Sequence, residues 1–195
     1  MILLLPLLAT LAQSPAELLR AGVGHFEAGK IEESVQDFDR LVALRPSVKP
    51  ELWQRGIALY YAGRYKECRE QFALHQTVNE DDVENAAWHY LCTAKAESPE
   101  KAREQLLPVD EDFRSPMLKL HAFYAGRATQ EDVLKEALSH SARFFAYLYF
   151  GLYWEANGDA LKAKGWFKKA AQASEGQDYM GTVARLHWNR LYAGK

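Results

Sequence analysis

Trp53-Gln54-Arg55-Gly56-Ile57-Ala58-Leu59-Tyr60-Tyr61-Ala62-Gly63-Arg64 sets two glycines seven residues apart in an apolar-rich stretch, and Phe72 follows sixteen residues after the first of them. The same spacing recurs as Gly22, Gly29 and Phe38, and again as Gly151, Gly158 and Phe167. The first two sets stand 34 residues apart in unshifted register. A unit of that length with a helix-ending glycine at its middle is one helix–turn–helix hairpin, so the chain is expected to be all-α.

The spacing also assigns jobs within the hairpin. Gly22, Gly56 and Gly151 mark where two helices cross closely, with Ser34, Cys68 and Ala163 as the small residues twelve positions later. Phe38, Phe72 and Phe167 fill the space left between helices. Cys68 on this reading is a small packing residue with an inert thiol. No hairpin buries its own apolar face, so stability is a sum over neighbouring units.

Working outward, Ser14-Pro15-Ala16-Glu17 supplies an N-cap, a proline at the first helical position and a glutamate three residues after the cap, so the fold begins there. Five hairpins are expected at about 14–47, 48–81, 82–113, 114–141 and 142–175, the third and fourth trimmed because only 95 residues separate Gly56 from Gly151. The second hairpin is read as helices from Val48 to Tyr61 and from Tyr65 to Thr77. The third pairs Asp82–Ala96 with Pro99–Leu107, and the fourth pairs Pro116–Ala125 with Gln130–Ser139, where Thr129 and Asp132 have capping-box spacing. The helical period of 177–193 predicts a C-terminal capping helix for the stack, and its Leu, Trp and Tyr residues could also pair two copies of the chain as a homodimer.

Residues 1–13 read as a signal peptide. Met1 to Ala12 carries no charged side chain and ends in the small residues Thr10 and Ala12. As a helix it would span roughly 18 Å, short of the roughly 30 Å hydrocarbon core, so no stable membrane insertion is expected. The remaining 14–195 form one domain, placed in the periplasm or outside the cell. Twenty-four basic against 26 acidic residues give a net charge of -2. No basic block is present, which argues against nucleic acid as partner.

In the repeat class that this spacing resembles, the first helix of each hairpin lines a concave groove, and the same is expected here. Counting back from the glycines places Phe26 there from the first hairpin, Trp53, Ile57, Tyr60 and Tyr61 from the second and Lys95 from the third. An aromatic, weakly charged groove suits a protein or peptide with apolar anchors. A branch of that class clamps a carboxylate with Lys, Arg and Asn at groove positions, but here Val23, Glu27, Ile57 and Tyr61 stand there, so no such clamp is expected.

The spacing, over essentially all of the chain after residue 14, resembles the tetratricopeptide-repeat superfamily, a solenoid of helical hairpins. Trp53 to Arg64, with Trp88-His89-Tyr90-Leu91 and Lys101-Ala102-Arg103-Glu104-Gln105-Leu106, is similar to the later repeats of the NlpI-like bacterial lipoproteins and to a related bacterial and plastid repeat family. That resemblance implies a non-catalytic adaptor in cell-envelope processes. The lipidation cysteine of such lipoproteins has no counterpart near the N-terminus, and fewer repeats are present. The alternatives are a cytoplasmic assembly scaffold using the same groove and a metal-dependent hydrolase. The hydrolase would rest on His89 and Cys92, three apart on one helix, but two ligands are too few for a tetrahedral zinc site. With no catalytic, phosphate-binding or dinucleotide motif, no enzyme activity, metal or other cofactor is expected.

Overall fold

The computed structural model describes residues 13–192, and the leader reading of 1–13 lies almost wholly outside them. The described chain is helical throughout, with no strand: α1 (Pro15–Glu27), α2 (Ile31–Leu44), α3 (Trp53–Tyr61), α4 (Tyr65–His75), α5 (Val83–Ala96), α6 (Pro99–Glu104), α7 (Met117–Tyr124), α8 (Gln130–Glu136), α9 (His140–Ala156), α10 (Ala160–Gln172) and α11 (Tyr179–Leu191). Consecutive helices pair as α1–α2, α3–α4, α5–α6, α7–α8 and α9–α10. Adjacent pairs join where α2 meets α3, α4 meets α5 and α8 meets α9. No helix among the described residues is long and apolar enough to cross a membrane.

Local chemistry explains most helix starts. Ser14 and Glu17 exchange the two hydrogen bonds of a capping box, and Thr129 and Asp132 do the same for α8. Asp82, Ser98, Ser139 and Asp159 each cap the helix that follows. One expected start moves. The helix read from Val48 begins only at Trp53, because Pro46 and Pro50 confine Pro46–Glu51 to a short 3-10 turn. Pro50 has no N–H to give an α-helical ladder.

Four of the five hairpins turn in the same way. Gly29, Gly63, Gly126 and Gly158 sit at φ +74°, +74°, +74° and +83°, the left-handed region that a residue with a Cβ rarely adopts. Each glycine N–H donates to the carbonyl three residues back, and the next residue's N–H reaches five back, as in Lys30 to His25 and Arg127 to Ala122. These bonds satisfy carbonyls that the helix end would leave open. The trimmed fourth hairpin shares this turn, while the third has no glycine there.

The crossing glycines meet their phenylalanines directly. A Cβ built on Gly22 would lie 2.8 Å from the Phe38 ring, on Gly56 2.6 Å from Phe72 and on Gly151 2.8 Å from Phe167. All three rings are buried. Ser34 Oγ donates to the Gly22 carbonyl at 2.7 Å, tying that crossing further.

The last helix does more than cover an end. α11 packs on α10 and also returns to α1. Tyr179 stacks on Phe26 with ring centroids 5.2 Å apart and meets the Trp53 ring edge-on at 5.0 Å. Val183, Ala184 and His187 are buried against the stack, while Leu186, Trp188 and Tyr192 are half-buried and Leu191 is exposed.

Candidate functional site

The six residues assigned to the groove divide under this arrangement. Phe26 and Ile57 are wholly buried and Tyr60 is 4% exposed, so these three belong to the core. Tyr60 is ringed by Tyr61, Tyr65 and Trp88, all edge-on. Lys95 is ion-paired with Glu155 at 3.3 Å. Tyr61 is half-buried beneath α11, and Trp53, also half-buried, keeps part of its ring free. Part of the face that counting marks as concave is covered by α11, through Tyr179 on Phe26 and Trp53 and His187 on Tyr61, while Tyr60 is enclosed by α4 and α5 and Lys95 is held by α9.

The contact that holds α11 there is polar at its centre. Tyr61 Oη lies 2.9 Å from Nδ1 of His187, and the other ring nitrogen, Nε2, lies 2.7 Å from Oε2 of Glu155. The imidazole stacks on Phe167 at 3.7 Å between centroids. Burial pushes the Glu155 carboxyl upward, but the His187 contact and the charges of His187 and Lys95 outweigh it and hold the group below its usual range. Burial, with the Glu155 charge behind it, pushes the Tyr61 phenol well up. The network is anchored on three separate helices and positions α11.

The cysteines depart from expectation. Cys68 and Cys92 are both fully buried and joined as a disulfide, with Cα atoms 5.8 Å apart, which ties α4 to α5. Cys68 is buried packing, as read, but neither sulfur is an inert thiol. The pairing also removes Cys92 as a thiolate ligand beside His89. His89 is 5% exposed, and burial, helped by Arg69, pushes it down to about 4. Among the described residues no group of three His, Cys, Asp or Glu side chains could hold a metal ion.

The open feature of this region is a cavity of about 570 Å³ where α3, α4 and α5 meet the start of α11. Trp53, Ile57, Phe72, Trp88 and Met180 line its apolar side, and His75, Asn79, Asp82, Glu84, Asn85 and Arg114 its polar side. Arg114 organises the polar wall: its guanidinium reaches Glu84 at 2.6 Å, Asp112 at 2.7 Å and Asp82 at 2.8 Å. Glu84 also accepts from Tyr149 Oη at 2.7 Å. Burial and the neighbouring Asp82 push the Glu84 carboxyl up. Burial pushes Asp112 the same way but is outweighed by hydrogen bonds from Arg114 and the Val83 N–H, leaving it low.

From the sequence, Glu80-Asp81-Asp82 stands at a helix start and Asp110-Glu111-Asp112 in a loop, both read as solvated. Asp82 does begin α5, as its N-cap, but Asp112 is only 9% exposed. Arg114 meets Asp82 and Glu84 across sequence separations of 32 and 30, which no local spacing signals. Of the groove residues named from the sequence, Trp53 and Ile57 line this cavity. No known protein-family model matches the chain.

Proposed function

We propose that this chain is a non-catalytic scaffold of the tetratricopeptide type, a solenoid of helical hairpins that binds a protein or peptide partner. The site is the cavity beside Trp53 rather than the face covered by α11. The observation that carries the reading is the cavity itself, which combines indole and aliphatic walls with a few fixed polar groups, the composition of a recognition pocket. The Gly–Phe crossings and the shared glycine turns support the repeat class. A buried disulfide is in keeping with export to an oxidising compartment such as the periplasm, and so with a role in the cell envelope.

Affinity capture from the source cells, comparing wild type with Trp53→Ala/Met180→Ala, tests this reading, with partners and the bait's own N-terminus determined by mass spectrometry. A partner retained by wild type and lost from a variant of unchanged helicity supports it. Equal capture by both moves binding away from the cavity. A bait beginning at Met1 with cytosolic partners would make the chain a cytoplasmic assembly scaffold.

A further inference from the structure

Gly165 stands in the middle of α10 and has no duty inside the fold. Its backbone is helical, so no turn requires it, and nothing lies within 4 Å of a Cβ built on it, so no neighbour requires it either. A glycine inside a helix weakens it relative to alanine. Gly24 is the other open glycine within a helix of the described chain, but it stands in the last turn of α1. What Gly165 leaves is a notch on the outer face of α10. Leu161 and Lys162 precede it by four and three residues, and Lys168 and Lys169 follow by three and four, so all four stand around it. Leu161 is 84% exposed.

The notch is basic. α10 carries Lys162, Lys164, Lys168 and Lys169 and no acidic residue, spread over two turns so that they form a strip only on the helix surface. Among the described residues only Lys162 of the four is ion-paired, to Asp159 at 2.9 Å. Lys162 and Lys169 also lie over the rings of Trp154 and Trp166, 4.1 and 4.2 Å from their centroids, which holds the ammonium groups without cancelling their charge.

The complement of this surface lies in the loop between α6 and α7. Phe113 is 94% exposed, more than any other large hydrophobic side chain of the described chain. Its base is clamped. Asp112 before it is buried and accepts from the Val83 N–H, Arg114 after it is held by three carboxylates, and Ser115 Oγ donates to the Glu136 carbonyl at 2.7 Å. Glu80, Asp81, Asp110 and Glu111 are exposed around one cleft of the same loop. A projecting aromatic ring on a fixed base, flanked by acids, is a preorganised anchor for a notched basic face.

We propose that these two surfaces meet between copies of this chain. Phe113 of one copy seats in the notch at Gly165 of another, with Asp110 and Glu111 against Lys164 and Lys168. The charge complementarity singles out a second copy, because both halves belong to one sequence and Phe113 remains uncovered in the single chain. This inference does not rest on the cavity beside Trp53 or on a peptide partner.

Sedimentation of the full chain from about 10 µM to about 1 mM, the range of a small transient interface, tests it. Wild type is expected to associate reversibly, and less so as salt is raised. Phe113→Ser and, separately, Lys164→Glu/Lys168→Glu should each weaken association about tenfold, with unchanged helicity because the replaced side chains are exposed. Gly165→Leu, which fills the notch, should act likewise. An equimolar mixture of Phe113→Ser with Lys164→Glu/Lys168→Glu should pair again at near wild-type strength. That complex stops at 1:1, because one copy offers only α10 and the other only the loop.

A wild-type chain that stays monomeric to about 1 mM would overturn the proposal. So would association that survives both variants, which places the contact on another face, or a mixture that fails to pair. Monomeric wild type whose α10 binds the peptide acetyl-Val-Asp-Glu-Asp-Phe-Arg-Ser-amide would give the face to a different acidic partner, again against self-pairing.

Discussion

The hydroxyl of Tyr61 sits 2.9 Å from Nδ1 of His187, across a sequence separation of 126. A C-terminal helix is thereby held against the second hairpin, and Glu155 of α9 closes the contact from the other side. Replacing Glu155 by Gln takes away the carboxylate charge that both His187 and Lys95 face. Glu155→Gln is therefore expected to destabilise the fold by about 3 kcal/mol at neutral pH, as when one member of a buried pair is lost. Urea denaturation of the two proteins measures it.

The same pair sets a pH dependence whose sign is fixed. The Glu155 carboxyl is held below its ordinary value of 4.5, so its stabilising contribution is fully present above that value and fades as pH falls through the lower folded-state value. The stability gap between wild type and Glu155→Gln should shrink as pH falls below 4.5. A gap that widens on acidification below 4.5 would contradict the assignment.

Gly56→Leu is expected to be costly. Even its Cβ would lie 2.6 Å from Phe72, a ring that is itself buried against Trp88. Overpacking of this kind destabilises by roughly 1–3 kcal/mol. Gly165→Leu is the control, because nothing lies within 4 Å of a Cβ there. Thermal melts of the two variants should separate clearly, with the control close to wild type.

Reduction of the Cys68–Cys92 bond should also register. It closes a loop with a sequence separation of 24, and loop closure of that size contributes about 3 kcal/mol on the chain-entropy account. Cys68→Ser/Cys92→Ser is expected to show a lower denaturation midpoint than the oxidised protein. Because both sulfurs are wholly buried, thiol reagents should react with neither cysteine until the protein is both unfolded and reduced.

The helices and their turns were legible because the signals are local. Gly63 ends α3 for reasons contained within six residues, and Ser14 or Thr129 begins a helix through a partner three residues on. Gly56 and Phe72 could be paired because a hairpin returns sixteen residues later to the same crossing. The site was less legible. Counting from a glycine predicts which face of a repeat helix points inward, but not that Tyr179 and His187 would come back to cover Phe26 and Tyr61. The Arg114 cluster joins residues about thirty apart through a loop of no regular period, and the Cys68–Cys92 pairing depends on how closely α4 approaches α5. Non-local contacts of this kind have no sequence period to reveal them.

The return of α11 also has a meaning for how the molecule is made. A row of hairpins whose contacts reach only the next neighbour could settle piece by piece as it leaves the ribosome. Here Phe26 and Trp53 wait for Tyr179, so the first hairpins are synthesised with an aromatic seam uncovered and stay incomplete until nearly the whole chain has emerged. A chain cut short before Tyr179 would carry that seam permanently, a sticky surface that quality-control machinery reads as unfinished.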